Sequence, residues 1–298
     1  IAVTIWGLQF VSESWPDDDK ISLTDKVKHL GSAYVAGNQK LKAIEEKEGS
    51  ESESYKKAIS EIESINKQLY DRSDAEINTV YDQGREWSLE KFEELYKILG
   101  TKFDQYFFES QSGPRGLEII KQHPEVFVEG DEGSRIFKGE DYGLHTRVFV
   151  NKQGLPTYEG KEVGLVKMKW DMWNYDRSYV VTANEQDEVF KVTKTAISQI
   201  MSEAGDRSYH IGHGMMKFVG EKMSSRTGKI VAGDELVEQM TVSALTKMKD
   251  RPIEESKKKD IAEAIAVAAI KFTILKQNFR KDIIFDKEKA LALEGDSG

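Results

Sequence analysis

Apolar residues recur at helical spacing through the first hundred positions. Leu41 and Ile44 share one face, and Ile59, Ile62, Ile65 and Leu69 form a second at intervals of three and four. Gly49-Ser-Glu-Ser-Glu-Ser54 between them is a polar turn, so residues 25–71 read as a helical hairpin with solvated outer faces. Ser73-Asp-Ala-Glu76 has the spacing of a capping box and opens another helix, with Ile77, Val80, Tyr81 and Gly84 on its inner side. Phe92, Leu95, Tyr96 and Leu99 continue that helix and Gly100 stops it. Phe103-Asp-Gln-Tyr-Phe-Phe108 is apolar and aromatic and is predicted as a buried strand, completing half of an α/β repeat.

The style then changes. Gly113-Pro114, a short helix over 117–122 and short apolar pieces at 126–128, 135–137 and 146–150 predict a small α+β insertion with antiparallel strands. The α/β rhythm returns with a helix over 158–173, a β-branched strand over 178–182, a helix over 187–202 and two short strands within 209–218. Helices over 234–249 and 257–276 follow, and the mixed charge of 254–260 and 280–289 reads as solvated surface.

Composition narrows the chemistry. With 39% hydrophobic residues over 298 positions the chain can bury a sizeable core. Lys plus Arg number 43 and Asp plus Glu 52, a net charge of −9, which argues against a generic DNA coat or a cationic membrane binder. The charge is uneven: residues 222–298 hold 15 basic and 13 acidic side chains, and residues 1–221 hold 28 and 39. The absence of cysteine excludes disulfides, zinc ribbons, iron–sulfur clusters and thiol nucleophiles. No apolar run is long enough for a membrane span and no secretory signal is visible, so a cytoplasmic location is expected. The chain starts at Ile1 inside an apolar stretch and ends on Glu294-Gly-Asp-Ser-Gly298, and an internal piece of a longer protein is expected.

The sharpest chemical signal is Lys222-Met-Ser-Ser-Arg-Thr-Gly228, placed after a predicted strand and before a helix. A lysine, an arginine, two hydroxyls and a glycine suit a polyphosphate, because cations offset developing charge and hydroxyl and backbone donors meet its oxygens. The spacing is not that of a P-loop. Taken on spacing alone, a polar surface loop explains it as well. Tyr158 and Glu162 are four apart at a helix start and share a face. A carboxylate beside a hydroxyl-bearing ring fits a planar cation with forked donors, although a core aromatic next to a surface acid is the simpler reading of such a pair.

Lys222-Met-Ser-Ser-Arg226 resembles the Lys-Met-Ser-Lys-Ser signature of class I aminoacyl-tRNA synthetases. Trp87-Ser-Leu-Glu-Lys-Phe-Glu-Glu-Leu-Tyr96, Lys102-Phe-Asp-Gln-Tyr-Phe-Phe-Glu-Ser110, Gly154-Leu-Pro-Thr-Tyr158, Asn184-Glu-Gln186, His210-Ile-Gly-His-Gly-Met-Met216, and Phe285-Asp286 with Glu294-Gly295 narrow it to the arginyl-tRNA synthetase family, over nearly the whole chain. The resemblance implies an α/β fold with a Rossmann-like parallel sheet, its first strand upstream of Ile1, two insertions, and the start of an all-α domain. The implied divisions are 1–24 as a remnant of the first half of the nucleotide fold, 25–72 as the hairpin insertion and 73–110 as helix and strand of the core. Residues 111–155 are the small α+β insertion, 156–233 the second half of the nucleotide fold, and 234–298 the lead into an anticodon-binding domain.

The same resemblance implies the activation of L-arginine by ATP and its transfer to tRNA(Arg). Lys222, Ser224, Ser225 and Arg226 would be the catalytic loop, with Ser225 standing where the general signature has a second lysine. Tyr158, Glu162 and Gln186 would bind arginine, with Glu162 where the family usually has Asp. Lys222, Met223, His210 and Gly212 would contact ATP. Magnesium would come with ATP, with no permanent cofactor and no protein metal site, and the enzyme is expected to be monomeric and to bind neither membrane nor DNA. His210-Ile-Gly-His213 spells the family's other signature but is separated from Lys222 by only eight residues that read as strand and turn, so the catalytic histidine signature is expected upstream and the chain alone is expected to be inactive. A synthetase-like binding module without catalysis, or a class I nucleotidyl transferase acting on a small molecule, stays open as an alternative.

Overall fold

A computed structural model describes residues 1–12, 15–16, 20–218 and 231–290. The chain forms two compact units, one of residues 1–102, 217–273 and 285–298, the other of residues 103–216 and 274–284.

The first unit is mainly helical: α1 (Ala2–Gly7), α2 (Leu23–Glu48), α3 (Glu53–Asp71) and α4 (Ala75–Ile98) come from its N-terminal part. Ser22 and Ser52 accept the N–H groups of Asp25 and Tyr55, each at 3.2 Å, so a hydroxyl cap starts both arms of the hairpin. Gly49 ends α2 at φ +86°, a conformation open to glycine. Asp74, rather than Ser73, caps α4 by accepting the Ile77 N–H at 3.0 Å. Trp15 stacks on Trp87 at 4.9 Å and donates to Gln83. The later helices α9 (Gly233–Lys247) and α10 (Glu255–Leu275) bury Leu236, Met240, Ala262 and Ala266.

The second unit carries α5 (Glu109–Gln122), a three-stranded antiparallel sheet of β1 (Val128–Glu129), β2 (Arg135–Phe137) and β3 (Arg147–Val150), then α6 (Tyr158–Trp173). Next come β4 (Ser178–Ala183), α7 (Asp187–Ile200), α8 (Ser202–Asp206) and β5 (Ser208–His213). β4 and β5 pair in parallel from Ser178↔Ser208 to Ala183↔His213, which requires the helical crossover between them. The core gathers Ile119, Ile120, Phe127, Phe149, Val163 and Val192. A further two-stranded sheet pairs β6 (Met216–Phe218) with β7 (Ile283–Phe285), and α11 (Lys287–Ala290) ends the described chain.

α5 and α6 touch through backbone. A Cβ on Gly164 would lie 1.9 Å from the Ser112 carbonyl oxygen, and one on Gly116 would lie 1.9 Å from the Gly160 carbonyl oxygen. Only hydrogen fits there, so these glycines set the distance between the helices.

Three expectations change. Residues 103–108 form no strand: Phe103 is 54% exposed, and the rings settle against each other and against Trp173. An aromatic run has the composition of a strand, but a strand needs a partner, and none of the three described sheets offers one. The helix expected over 117–122 begins eight residues earlier and passes through Pro114. Pro114 cannot donate to the Ser110 carbonyl one turn earlier, and Ser110 is exposed, so water can reach that oxygen. Segment 280–289, read as solvated charge, contains β7, whose Phe285 is 1% exposed and packs on Phe218. Three apolar residues between charges are too few to show a period.

Gly164→Ala should destabilise the protein by about 1–3 kcal/mol in urea unfolding, although alanine is the better helix former by about 1 kcal/mol. Gly31→Ala, on α2 with open space at its Cβ, should raise stability by about 0.5–1 kcal/mol.

Candidate active site

Thr157 starts α6. Its hydroxyl accepts the Gly160 N–H at 3.4 Å and donates to the Val148 carbonyl at 2.7 Å, and its N–H donates to the Phe149 carbonyl at 3.0 Å. The helix start is thereby fastened to β3. Tyr158 is the first helical residue, and Glu162 lies one turn later on the same face.

Tyr158 and Glu162 are near enough for the phenol to favour the Glu162 carboxylate and for that carboxylate to disfavour a phenolate. Tyr158 is 38% exposed, whereas Glu162 is 9% exposed, so the pair offers an accessible ring edge over a sunken carboxylate. Burial pushes the Glu162 carboxyl above its ordinary value, while Lys169 and the Tyr158 hydrogen bond pull it back. Burial and the adjacent Glu162 charge push the Tyr158 phenol up. Lys169 is held below the usual ammonium value by burial, against the opposing pull of Glu162.

A second group of residues lies around β5. The His210 ring stacks on Phe190 of α7 at 4.2 Å with 5° between planes, and Phe190 in turn meets Tyr158 edge-on at 6.1 Å. His210 Nε2 is 2.7 Å from the Thr182 hydroxyl and Nδ1 is 3.2 Å from Asp187 Oδ1. Gln186 immediately precedes Asp187, on the short turn that joins β4 to α7. A Cβ on Gly212 would come within 2.1 Å of Asp187 Oδ1, so the backbone of β5 abuts the start of α7. Tyr158, Phe190, His210 and Asp187 thus form a continuous line from the Tyr158–Glu162 pair to the residue beside Gln186.

The structure therefore places Tyr158 and Glu162 one turn apart at the start of α6 and puts His210 and Gly212 on β5 against the turn that bears Gln186. The tetrapeptide 210–213 lies on a strand and not at a helix start; His213 Nδ1 sits 2.8 Å from the Gly214 carbonyl oxygen. Lys222, Met223, Ser224, Ser225 and Arg226 lie outside the described residues. Arg147, Lys152 and His123 each face an acid: Glu159 at 3.1 Å, Glu132 at 3.0 Å and Glu125 at 2.9 Å. Sequence reasoning missed Asp187, Phe190 and Thr182, which matter only because β4, α7 and β5 converge. It also passed over Lys169, although the seven-residue interval from Glu162 marks one helix face. Among the described residues, no cluster of three or more His, Asp or Glu side chains could hold a metal, and no helix is long and apolar enough to cross a membrane.

The family profile described as "tRNA synthetases class I (R), catalytic domain" matches residues 3–287. Arginine–tRNA ligases of Clostridium botulinum and Treponema denticola are 27% and 29% identical to this chain over 76% and 71% of its length. Those alignments span 40% and 37% of the two ligases, so the chain covers about two fifths of the curated relatives it matches. The structure of Thermus thermophilus arginyl-tRNA synthetase superposes with a TM-score of 0.72 at 20% identity, covering 100% of this chain and 53% of that one. A Plasmodium falciparum arginyl-tRNA synthetase gives 0.65 at 18% identity, over 86% of this chain and 45% of the other. At such identities the structural likeness is one of fold.

Burial pushes the His210 imidazole below its ordinary 6.5, with Arg280 and His213 adding to the effect and Asp187 opposing it. The unfolded chain therefore takes up this proton first as pH falls, and the stability His210 contributes is complete above about pH 6.5 and lost as pH drops through the lowered value. Thermal unfolding from about pH 7.5 to about pH 5 should show a falling melting temperature, and His210→Gln should flatten that fall.

Proposed function

The chain belongs to the class I (R) tRNA synthetases, matching their catalytic domain over residues 3–287, and from that premise we propose that the protein containing it activates L-arginine with ATP and transfers it to tRNA(Arg). The observation that carries this reading is the Tyr158–Glu162 pair: a sunken carboxylate one helical turn from an exposed tyrosine, at the start of a helix. A guanidinium presents planar, forked donors with a permanent charge, and a carboxylate is its natural counterpart. The names of the relatives support the same substrate.

In the proposed reaction the arginine carboxylate attacks the α-phosphorus of ATP. The bond to the bridging oxygen breaks, and pyrophosphate leaves as arginyl-adenylate forms. A hydroxyl of the terminal tRNA ribose then attacks the adenylate carbonyl and AMP departs. Glu162 and Tyr158 hold the guanidinium, and Gln186 completes the amino-acid pocket from the β4–α7 turn. His210 and Gly212 line the nucleotide side with Met223. Lys222, Ser224, Ser225 and Arg226 meet the phosphates, where charge grows as pyrophosphate separates. Magnesium accompanies ATP as part of the substrate, since phosphate oxygens supply its preferred ligands. The proposed enzyme has no permanent cofactor and is monomeric and cytoplasmic.

Glu162→Gln keeps the size of the side chain and removes its charge. In the full-length enzyme it should raise the KM for arginine at least about tenfold while leaving the KM for ATP nearly unchanged. It should also narrow the preference for arginine over citrulline, its neutral isostere. Glu162→Asp should retain most arginine affinity. Pyrophosphate exchange reads all three, and indifference to both substitutions would refute the assignment of Glu162. Lys222→Ala should lower kcat for adenylate formation by about a hundredfold or more with little change in the KM for arginine, because its contact strengthens as the charge develops.

A further inference from the structure

We propose that Lys169 is a positioning charge for the arginine pocket: it keeps the buried Glu162 carboxylate ionised before substrate arrives, so that the pocket reads a guanidinium at neutral pH. This rests on the reading of Glu162 as the guanidinium-binding group.

The problem Lys169 solves is physical. Glu162 is 9% exposed and sits next to Val163 and one turn from Val166, at 0% and 4%. A carboxyl in such surroundings favours its neutral form, and a neutral carboxyl cannot form a charge-assisted fork with arginine. The Tyr158 hydroxyl helps, but one neutral donor does not replace lost hydration. The start of α6 adds a favourable dipole, which fades beyond the first turn.

Lys169 follows Glu162 by two helical turns on the same face of α6. Its ammonium donates to the Ser178 hydroxyl at 2.9 Å, at the first residue of β4. With that hydrogen bond made to a neutral partner, Lys169 acts on Glu162 through its field, and the carboxylate oxygens stay available to a ligand. Burial disfavours the charge on each group taken singly, and each favours the charge on the other.

The charges on the elements packed against α6 leave this role to Lys169. Glu109 of α5 opposes Glu162 ionisation, and its own charge is met by Lys161 at 2.6 Å. Arg115 of α5 faces Glu118 and Asp171. Arg147 of β3 is engaged by Glu159 at 3.1 Å. On α7 Glu188 is paired with Lys191, and on α8 Glu203 with Arg207.

The test uses the full-length enzyme with Lys169→Met, Lys169→Arg and Glu162→Gln. The first is shape-conserving and removes the charge; the second keeps it. The arginine KM is measured by pyrophosphate exchange from about pH 6 to about pH 9, alongside the carbon-13 carboxyl resonance of Glu162, identified by its loss in Glu162→Gln. Lys169→Met should raise the arginine KM about tenfold near pH 6.5, with the defect closing as pH rises, and should leave kcat at saturating arginine and the KM for ATP little changed. The Glu162 resonance should titrate at least about one pH unit higher in Lys169→Met and close to the parent value in Lys169→Arg. An arginine KM defect that is constant across pH, or an unmoved Glu162 titration, would overturn the proposal. Should Lys169→Met fail to fold, Lys169→Gln with the same resonance decides the matter. An unchanged arginine KM in Glu162→Gln would instead overturn the arginine reading, because the resonance reports the Lys169–Glu162 coupling without any substrate.

Discussion

The second unit depends on how closely α5 and α6 approach. Gly116, Gly160 and Gly164 carry no Cβ at the crossing, and the backbones meet where side chains would ordinarily keep helices apart. Gly160 also faces β3, where a Cβ would lie 2.3 Å from the Phe149 carbonyl oxygen. Thr157 fastens the start of the same helix to Val148 and Phe149. α6 is thus clamped from two directions over its first two turns. Tyr158 and Glu162 occupy those turns, and a site on a rigid element keeps its geometry without help from a ligand.

That rigidity has an electrostatic consequence. A carboxylate on a surface loop could turn to water, but Glu162 on a clamped helix cannot, and its ionisation is left to its neighbours. Tyr158 and Lys169 act on it from one turn before and two turns after, on one face of one helix. Ser178 connects that helix face to β4, and β4 leads through Thr182 and the 184–186 turn to His210, Asp187 and Gln186. One line of contacts therefore runs from Tyr158 to His210 on β5, with Phe190 between the two rings.

The elements that could be read directly were those with long or strictly local signals. The spacing of Ile59, Ile62, Ile65 and Leu69 suffices for α3, and the turn after Glu48 carries its own glycine. Residues 158–173 form one helix because a threonine cap precedes them and Asn174 can take the left-handed turn that ends it, at φ 40°. The segments 87–96, 102–110, 154–158, 184–186 and 210–216 carry the family resemblance only together with 222–226, as local patterns of sequence. Local rules failed where the outcome depended on a partner, as with the 103–108 run that had none and the 283–285 strand that found one.

For the site, the sequence by itself determined which residue types stand one helical turn apart, and hence that Tyr158 and Glu162 can share a face. Capping and periodicity act over three or four residues, and neighbours along the chain are enough to specify them. Only the tertiary structure decided that Glu162 is buried rather than a surface acid, that Lys169 is tied to Ser178, and that His210 lies between Thr182, Asp187 and Phe190. Burial and charge coupling are set by what other segments place around a residue. The glycine-lined crossing of α5 and α6 and the parallel pairing of β4 with β5 bring those segments together from positions tens of residues apart.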